Sequence, residues 1–256
     1  MINIVAQSGK GETTLGLYAG IADPSMAEIA ALAGVDFIRL DCEHTLVDPS
    51  AVARFVIAAD AADIPVHIRV SSSNDITRML DCGARGIVVP GVRNKEEAQR
   101  AVSLVKYAPL GERGMASIAR SLKFGETPFA DYLKTANNET CLAIQIESRE
   151  GLENLDEILS VEGVDMISTG KLDLSQALGV PGQAAHPDVL AAEEMVIAKT
   201  LEHGKIPTML TPNPERAAAM RARGVCCLTL FYDTKFILQS FKAQVARYRE
   251  ILAGQA

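Results

Sequence analysis

The chain has 256 residues, 48% of them hydrophobic and 5% aromatic, with a formal charge of −7, enough apolar material for one large core and a length that suits one α/β barrel as well as two small domains. The acidic balance and the lack of any Lys/Arg-dense stretch exclude nucleic acid or an anionic membrane as the main partner. With no bilayer-length apolar run and no segment of signal-peptide form, a cytoplasmic protein acting on small molecules is expected.

In chain order, short apolar β-branched runs alternate with stretches of helical period, the pattern of α units packed around a parallel sheet. Strands are expected at 14–21, 35–41, 65–70, 86–92, 141–147, 164–169, 206–211 and 225–231. Each is nearly continuous in apolar residues, as strands covered on both faces are. Asp23-Pro24 and Asp48-Pro49 open helices, Asn94 precedes Lys95-Glu96-Glu97, and Pro214 begins a helix that stops at Gly224. Gly34, Gly83, Gly163, Gly204 and Gly224 each stand where a helix ends just before the next strand, a position that calls for a left-handed cap. The recurrence predicts a single (β/α)8 TIM barrel over residues 1–256. The connection 107–128 is too long for an ordinary loop and is expected to be functional. The segment 234–253 reads as a long amphipathic helix that caps its own barrel or a neighbour's. Five cysteines, with Cys226 and Cys227 inside an apolar run, make no disulfide framework and are expected to be reduced.

In such barrels the chemistry gathers at the carboxyl ends of the strands. The second expected strand ends in Asp41-Cys42-Glu43-His44, the third near Arg69, the fifth in Gln145-Ile146-Glu147, and the sixth runs into Thr169-Gly170-Lys171-Leu172-Asp173. Glu147 and Asp173, two carboxylates from adjacent strands with no Cys or His between them, form a hard oxygen site suited to a divalent metal such as Mg²⁺ or Mn²⁺. The plainer alternatives are a first-turn acid for Glu147 and an N-cap for Asp173. Arg69 offers a planar fork to a carboxylate, whether of a substrate or of a neighbouring strand. His44, an imidazole on the loop after Glu43, suits a general base, if it is more than a surface loop residue. Lys171 is the one lysine placed for a Schiff base, which would require it to be desolvated. His67, His186 and His203 read as structural.

The segments 35–48 (VDFIRLDCEHTLVD), 107–114 (YAPLGERG) and 144–179 (IQIESREGLENLDEILSVEGVDMISTGKLDLSQALG) resemble the HpcH/HpaI family of metal-dependent pyruvate aldolases, and the similarity runs from the first strand to the seventh helix. The resemblance implies reversible cleavage of a 4-hydroxy-2-oxo acid to pyruvate, or a close 2-oxo acid, and an aldehyde. By position it implies that Glu147 and Asp173 hold a divalent metal (Mg²⁺, Mn²⁺ or Co²⁺). Arg69 and Gln145 would contact the pyruvyl portion, and His44 would act as base with Asp41 or Asp81 as its acidic partner. Lys171 and Leu210 complete the expected substrate contacts. A swapped C-terminal helix and a homohexamer built as a trimer of dimers are also implied. A citryl- or malyl-CoA type lyase and a non-catalytic acid-binding barrel are the alternatives.

The chain departs from the family pattern at several places. Lys171 stands where a proline is usual, which suggests either an extra carboxylate on the substrate or a weakened metal site. Cys42 stands where a glycine is usual, the stretch after Arg69 is shorter, and Phe231-Tyr232-Asp233 ends the last strand.

Overall fold

Each expected apolar run becomes one staff of a closed, all-parallel eight-stranded barrel in strand order one to eight. The computed structural model describes residues 1–254, so the last two residues of the expected 1–256 unit lie outside the described residues. The strands are β1 (Thr14–Ala19), β2 (Phe37–Asp41), β3 (Val66–Arg69), β4 (Gly86–Val89), β5 (Cys141–Ile146), β6 (Met166–Thr169), β7 (Ile206–Leu210) and β8 (Cys227–Tyr232). Helices join consecutive strands, as parallel pairing requires a crossover.

The punctuation of the sequence accounts for the joints. Asp23 accepts from the Ser25 amide, Asp48 from Ser50 and Ala51, Asn94 from Glu97 and Asn213 from Arg216. Each satisfies a helix-start amide, a contribution of typically about 1 kcal/mol. Gly34, Gly83, Gly163, Gly204 and Gly224 all take positive φ, between 67° and 113°, which a side chain would disfavour.

Strand alternation divides the apolar residues into two layers. Ile38, Leu40, Ile68, Ile87, Leu142, Ile144 and Ile167 face outward under the helices in the main core. Phe37, Val88, Cys141, Ala143, Met166 and Cys227 fill the lower barrel, together with Ile4 of a short helix, Ile4–Gly9, that plugs the amino-terminal end. Sequence periodicity did not reveal that helix. Gly16 makes room for the Phe37 ring, since a Cβ there would lie 2.2 Å from it.

No residue of the segment 107–128 lines the cleft among the carboxyl ends of the strands. The segment is strapped to the flank: Arg113 pairs with Asp81 at 2.7 Å, and Arg120 donates to the Cys82 carbonyl and to Asp60. These contacts give the segment a bracing role on the flank. All five cysteines are free. The last helix, Asp233–Ala253, buries only Asp233, whose carboxylate accepts from the amides of Gly20 and Ile21 at 2.9 and 3.0 Å and so ties β8 to β1. Beyond it Phe236, Phe241, Val245, Tyr248 and Leu252 are exposed. Among the described residues, no helix is long and apolar enough to cross a membrane.

Candidate active site

A cleft of about 240 Å³ opens among the carboxyl ends of the strands, with Arg69, Gln145, Lys171, Asp173, Leu210 and His44 on its walls. A larger cavity of about 380 Å³ lies at the opposite end, between the first residues and His67, Arg85 and Cys141. Its titratable groups, among them Glu139, His67 and Cys141, lie at the amino-terminal end of the barrel, whereas chemistry in such barrels gathers at the carboxyl ends, which makes the smaller cleft the candidate.

Register explains the strongest contact at the mouth. Asp41 and Arg69 are paired positions on β2 and β3, so both side chains point inward at one level. Arg69 donates from Nε to Asp41 Oδ1 at 3.0 Å and from Nη2 to Oδ2 at 2.6 Å. Its Nη1 lies 3.3 Å from Glu43. Burial works against a charged Asp41, but the Arg69 hydrogen bonds and charge, with the Glu43 and His44 amides, outweigh it and hold the carboxyl below its ordinary pKa. Arg69 is likewise raised, the Asp41 contacts overcoming burial. The guanidinium is thus a fixed cation whose fork is already occupied.

His44 lies beyond β2 on the open side of the mouth. Its amide donates to Asp41 Oδ1, and its Nε2 is 3.5 Å from Glu43 Oε2. The expected partners are otherwise engaged within the chain, Asp41 by Arg69 and Asp81 by Arg113. Glu43, which the sequence placed at the strand end without a role, is the carboxylate beside the imidazole.

The plainer alternatives for the two expected metal ligands do not describe where they lie. Ser148, not Glu147, caps the helix Arg149–Glu153, and Gly170 occupies the cap position of Lys171–Ala177, leaving Asp173 in its first turn and on the cleft wall. Gln145 Nε2 donates to Glu147 Oε2. Burial raises the Glu147 pKa, the Gln145 hydrogen bond opposes this, and the charges of Asp173 and Glu43 raise it further. Glu43 is raised by burial as well, with Asp41 and Asp173 adding to the shift and Arg69 and His44 opposing it. The Asp173 charge felt at both Glu147 and Glu43 makes this side of the mouth acidic, which fits a cation. Gly170 makes the cradle: a Cβ there would stand 2.3 Å from Glu147 Oε2 and 2.8 Å from Gln145 Nε2. Among the described residues, no three His, Cys, Asp or Glu side chains form a metal cage by themselves. The donor set therefore suits a hard ion that keeps positions open for water and substrate oxygens.

Lys171 is tethered. Its Nζ lies 3.6 Å from Glu193 Oε1, while Glu193, 2% exposed, also takes a hydrogen bond from Arg216. An ammonium paired with a carboxylate is the reverse of the neutral, desolvated amine that a Schiff base needs. Sequence reasoning missed Glu193 and Arg216 because they come from helices whose approach to the mouth has no local signal. It also missed Tyr18 and Tyr232, stacked at 4.7 Å on the cleft wall. Burial foremost pushes the Tyr232 hydroxyl up to about 12, so it remains a neutral donor. His67 is buried in the barrel, His186 caps the helix Pro187–Glu202 and His203 faces Asp156, all structural positions.

The sequence profile of the HpcH/HpaI aldolase/citrate lyase family matches residues 14–240. The chain is 36% identical to the pyruvate aldolase of Rhizobium etli over 93% of its own length and 94% of that protein's. It is 37% identical to the 4-hydroxy-2-oxo-heptane-1,7-dioate aldolase of Shigella sonnei, covering 93% and 91% of the two chains. The crystal structure of the citrate synthase SbnG superposes with a TM-score of 0.90 at 32% identity, covering 98% of each chain.

Proposed function

Because the chain belongs to the HpcH/HpaI aldolase/citrate lyase family, we propose that it is a carbon–carbon lyase that reversibly cleaves a 4-hydroxy-2-oxo acid to pyruvate, or a close 2-oxo acid, and an aldehyde. The names of the aldolase relatives support that substrate class. The observation that carries the reading is the placement of Arg69, Gln145 and Asp173 on one cleft at the carboxyl end of the barrel, with Glu147 held by Gln145 and Glu43 beside Arg69.

Glu147 and Asp173 would hold a divalent cation, which when bound supplies Lewis-acid polarisation of the 2-oxo group. The side chains do the rest. Gln145 keeps the Glu147 carboxylate oriented, and Arg69, immobilised by Asp41, presents a fixed positive charge to the pyruvyl oxygens as negative charge develops on them. His44 takes the proton from the C4 hydroxyl, the C3–C4 bond breaks, and its electron pair passes to C3 while C4 becomes the aldehyde carbonyl. Protonation of C3 then yields pyruvate, and condensation reverses each step. Glu43 beside His44 stabilises the imidazolium that forms. Leu210 and the Tyr18–Tyr232 stack supply apolar wall.

The apolar stripe of the helix Asp233–Ala253 supports a homo-oligomer in which this helix packs on another copy. A reaction on a citrate-like acid is the second reading, favoured by the match to the citrate synthase structure. Incubating the protein with a panel of 4-hydroxy-2-oxo acids, with chelator and then with Mg²⁺, Mn²⁺ or Co²⁺, tests the proposal. Metal-dependent pyruvate release is expected, and no turnover with any of them sinks the aldolase reading.

A further inference from the structure

One charged side chain of the cleft has no part in the chemistry above. Arg39 lies mid-strand on β2 between the inward positions Phe37 and Asp41, about 7 Å below the mouth carboxylate given the rise of a strand. It is 1% exposed and lines the cleft. Its Nη2 donates to Thr208 Oγ1 at 2.6 Å, while its Nε is buried with no hydrogen-bond partner. No carboxylate of the described residues forms an ion pair with it, whereas Arg69 has Asp41 and Glu43, and Lys171 has Glu193.

Rings replace the missing counter-charge: Arg39 Cζ is 5.4 Å from the Phe37 centroid and 5.9 Å from that of Tyr18. Ring-face attraction is small beside the hydration that a buried guanidinium gives up. The same Tyr18 ring has Arg69 Cζ at 5.2 Å, so the two guanidinium groups flank one side chain, one neutralised and one not. Arg69 grips Asp41 with its Nε and Nη2. On Arg39 that edge carries one hydroxyl and one empty donor. Around it stand Ser168 and Thr208, small hydroxyl side chains that leave room and can donate.

We propose that Arg39 anchors a carboxylate subsite on the floor of the cleft, with a ligand carboxylate meeting the guanidinium from the cleft side and the hydroxyls of Thr208 or Ser168 turning toward it. The proposal rests on the reading of the cleft as a 2-oxo-acid site. It makes Arg39 a substrate-binding residue that discriminates by charge, because an uncharged group at that depth would leave the cation unpaired. The carboxylate belongs either to the 2-oxo acid itself or to a second acid group further along the same molecule.

Calorimetric titration of wild type, Arg39→Leu and Arg39→Gln with 2-oxoglutarate and with 2-oxopentanoate, which has the same chain length and no distal carboxylate, separates these sources. Each is run with chelator and with Mn²⁺. Loss of tenfold or more in 2-oxoglutarate affinity alone assigns the subsite to a distal carboxylate, and an equal loss for both ligands assigns it to the 2-oxo acid's own. Affinities for both ligands within twofold of wild type overturn the subsite. Removing an unpaired buried charge is not expected to lower the melting temperature, and Arg39→Gln, which can keep the Thr208 contact, decides the matter if the leucine variant fails to fold. Failure of the aldolase reading looks different: no variant, wild type included, would then release pyruvate, while the titrations would still report on Arg39.

Discussion

Gly170→Ala asks whether the Glu147 cradle matters to the chemistry rather than to the fold. Gly170 has φ −94° and ψ 87°, a conformation open to alanine, so backbone strain is not introduced. The added methyl would stand 2.3 Å from Glu147 Oε2 and 3.0 Å from Glu147 Cβ, about 1 Å short of van der Waals contact for the carboxylate. The two nearest atoms, Glu147 Oε2 and Gln145 Nε2, are the ends of side chains, so the protein can yield there at small cost in stability. The carboxylate would have to yield with it, and a misplacement of about 1 Å in a catalytic group costs on the order of 100-fold in rate, or about 2.7 kcal/mol of barrier. Pyruvate release followed through a coupled dehydrogenase gives kcat/KM, Mn²⁺ binding by electron paramagnetic resonance reports the site directly, and thermal melting controls for the fold. A Gly170→Ala enzyme with kcat/KM and Mn²⁺ affinity within threefold of wild type would refute the reasoning.

Asp41→Asn removes the charge from a pair whose side chains are 4% and 5% exposed and leaves Arg69 buried beside a weaker partner. Urea unfolding should show a loss of about 3–5 kcal/mol, and a loss below about 1 kcal/mol would mean that the pair is solvated. His67 is pushed down to about 3 by burial and by the neighbouring Arg39 charge. The folded protein therefore holds this ring neutral while the unfolded chain protonates near the ordinary value. Stability present above about pH 6.5 should be lost progressively as the pH falls toward 3, by on the order of 5 kcal/mol in all. A His67→Gln variant should flatten that part of the unfolding-versus-pH curve, and an unchanged slope contradicts the assignment. On the proposed packing of the last helix against another copy, replacing Phe241 and Tyr248, both exposed on that helix, by aspartate should lower the mass seen in light scattering. An unchanged mass removes that face from the interface.

Much of the fold was legible because its signals are local. Eight apolar runs, Asp-Pro and Asn helix starts, and glycines before strands each act within a few residues, and each maps onto an element of the barrel. The plug helix Ile4–Gly9 was not, since so short a segment has no period to read and is held by Ile4 packing under Phe37 and Met166. At the mouth, Asp41, Arg69, Gln145, Glu147 and Asp173 stood out as polar residues at strand ends. Their partners did not. Glu193 reaches Lys171 from one helix and Arg216 reaches Glu193 from another, the Asp81–Arg113 pair links the helix Ile76–Cys82 to a loop, and such pairings depend on the closed barrel. Arg39 had a visible signal, a charge in the middle of an apolar strand. What the sequence lacked was the knowledge that no acid faces it.

The central claim is that Glu147 and Asp173 hold a cation that the cleavage of a 4-hydroxy-2-oxo acid requires. Its most direct test is pyruvate release by metal-depleted enzyme, reconstituted with Mn²⁺, for wild type and Glu147→Gln side by side with Mn²⁺ binding. The account predicts no release without metal, recovery in wild type, and joint loss of Mn²⁺ affinity and turnover in the variant. Full turnover in the presence of chelator, or a Glu147→Gln enzyme that loses turnover while binding Mn²⁺ as wild type does, would contradict it.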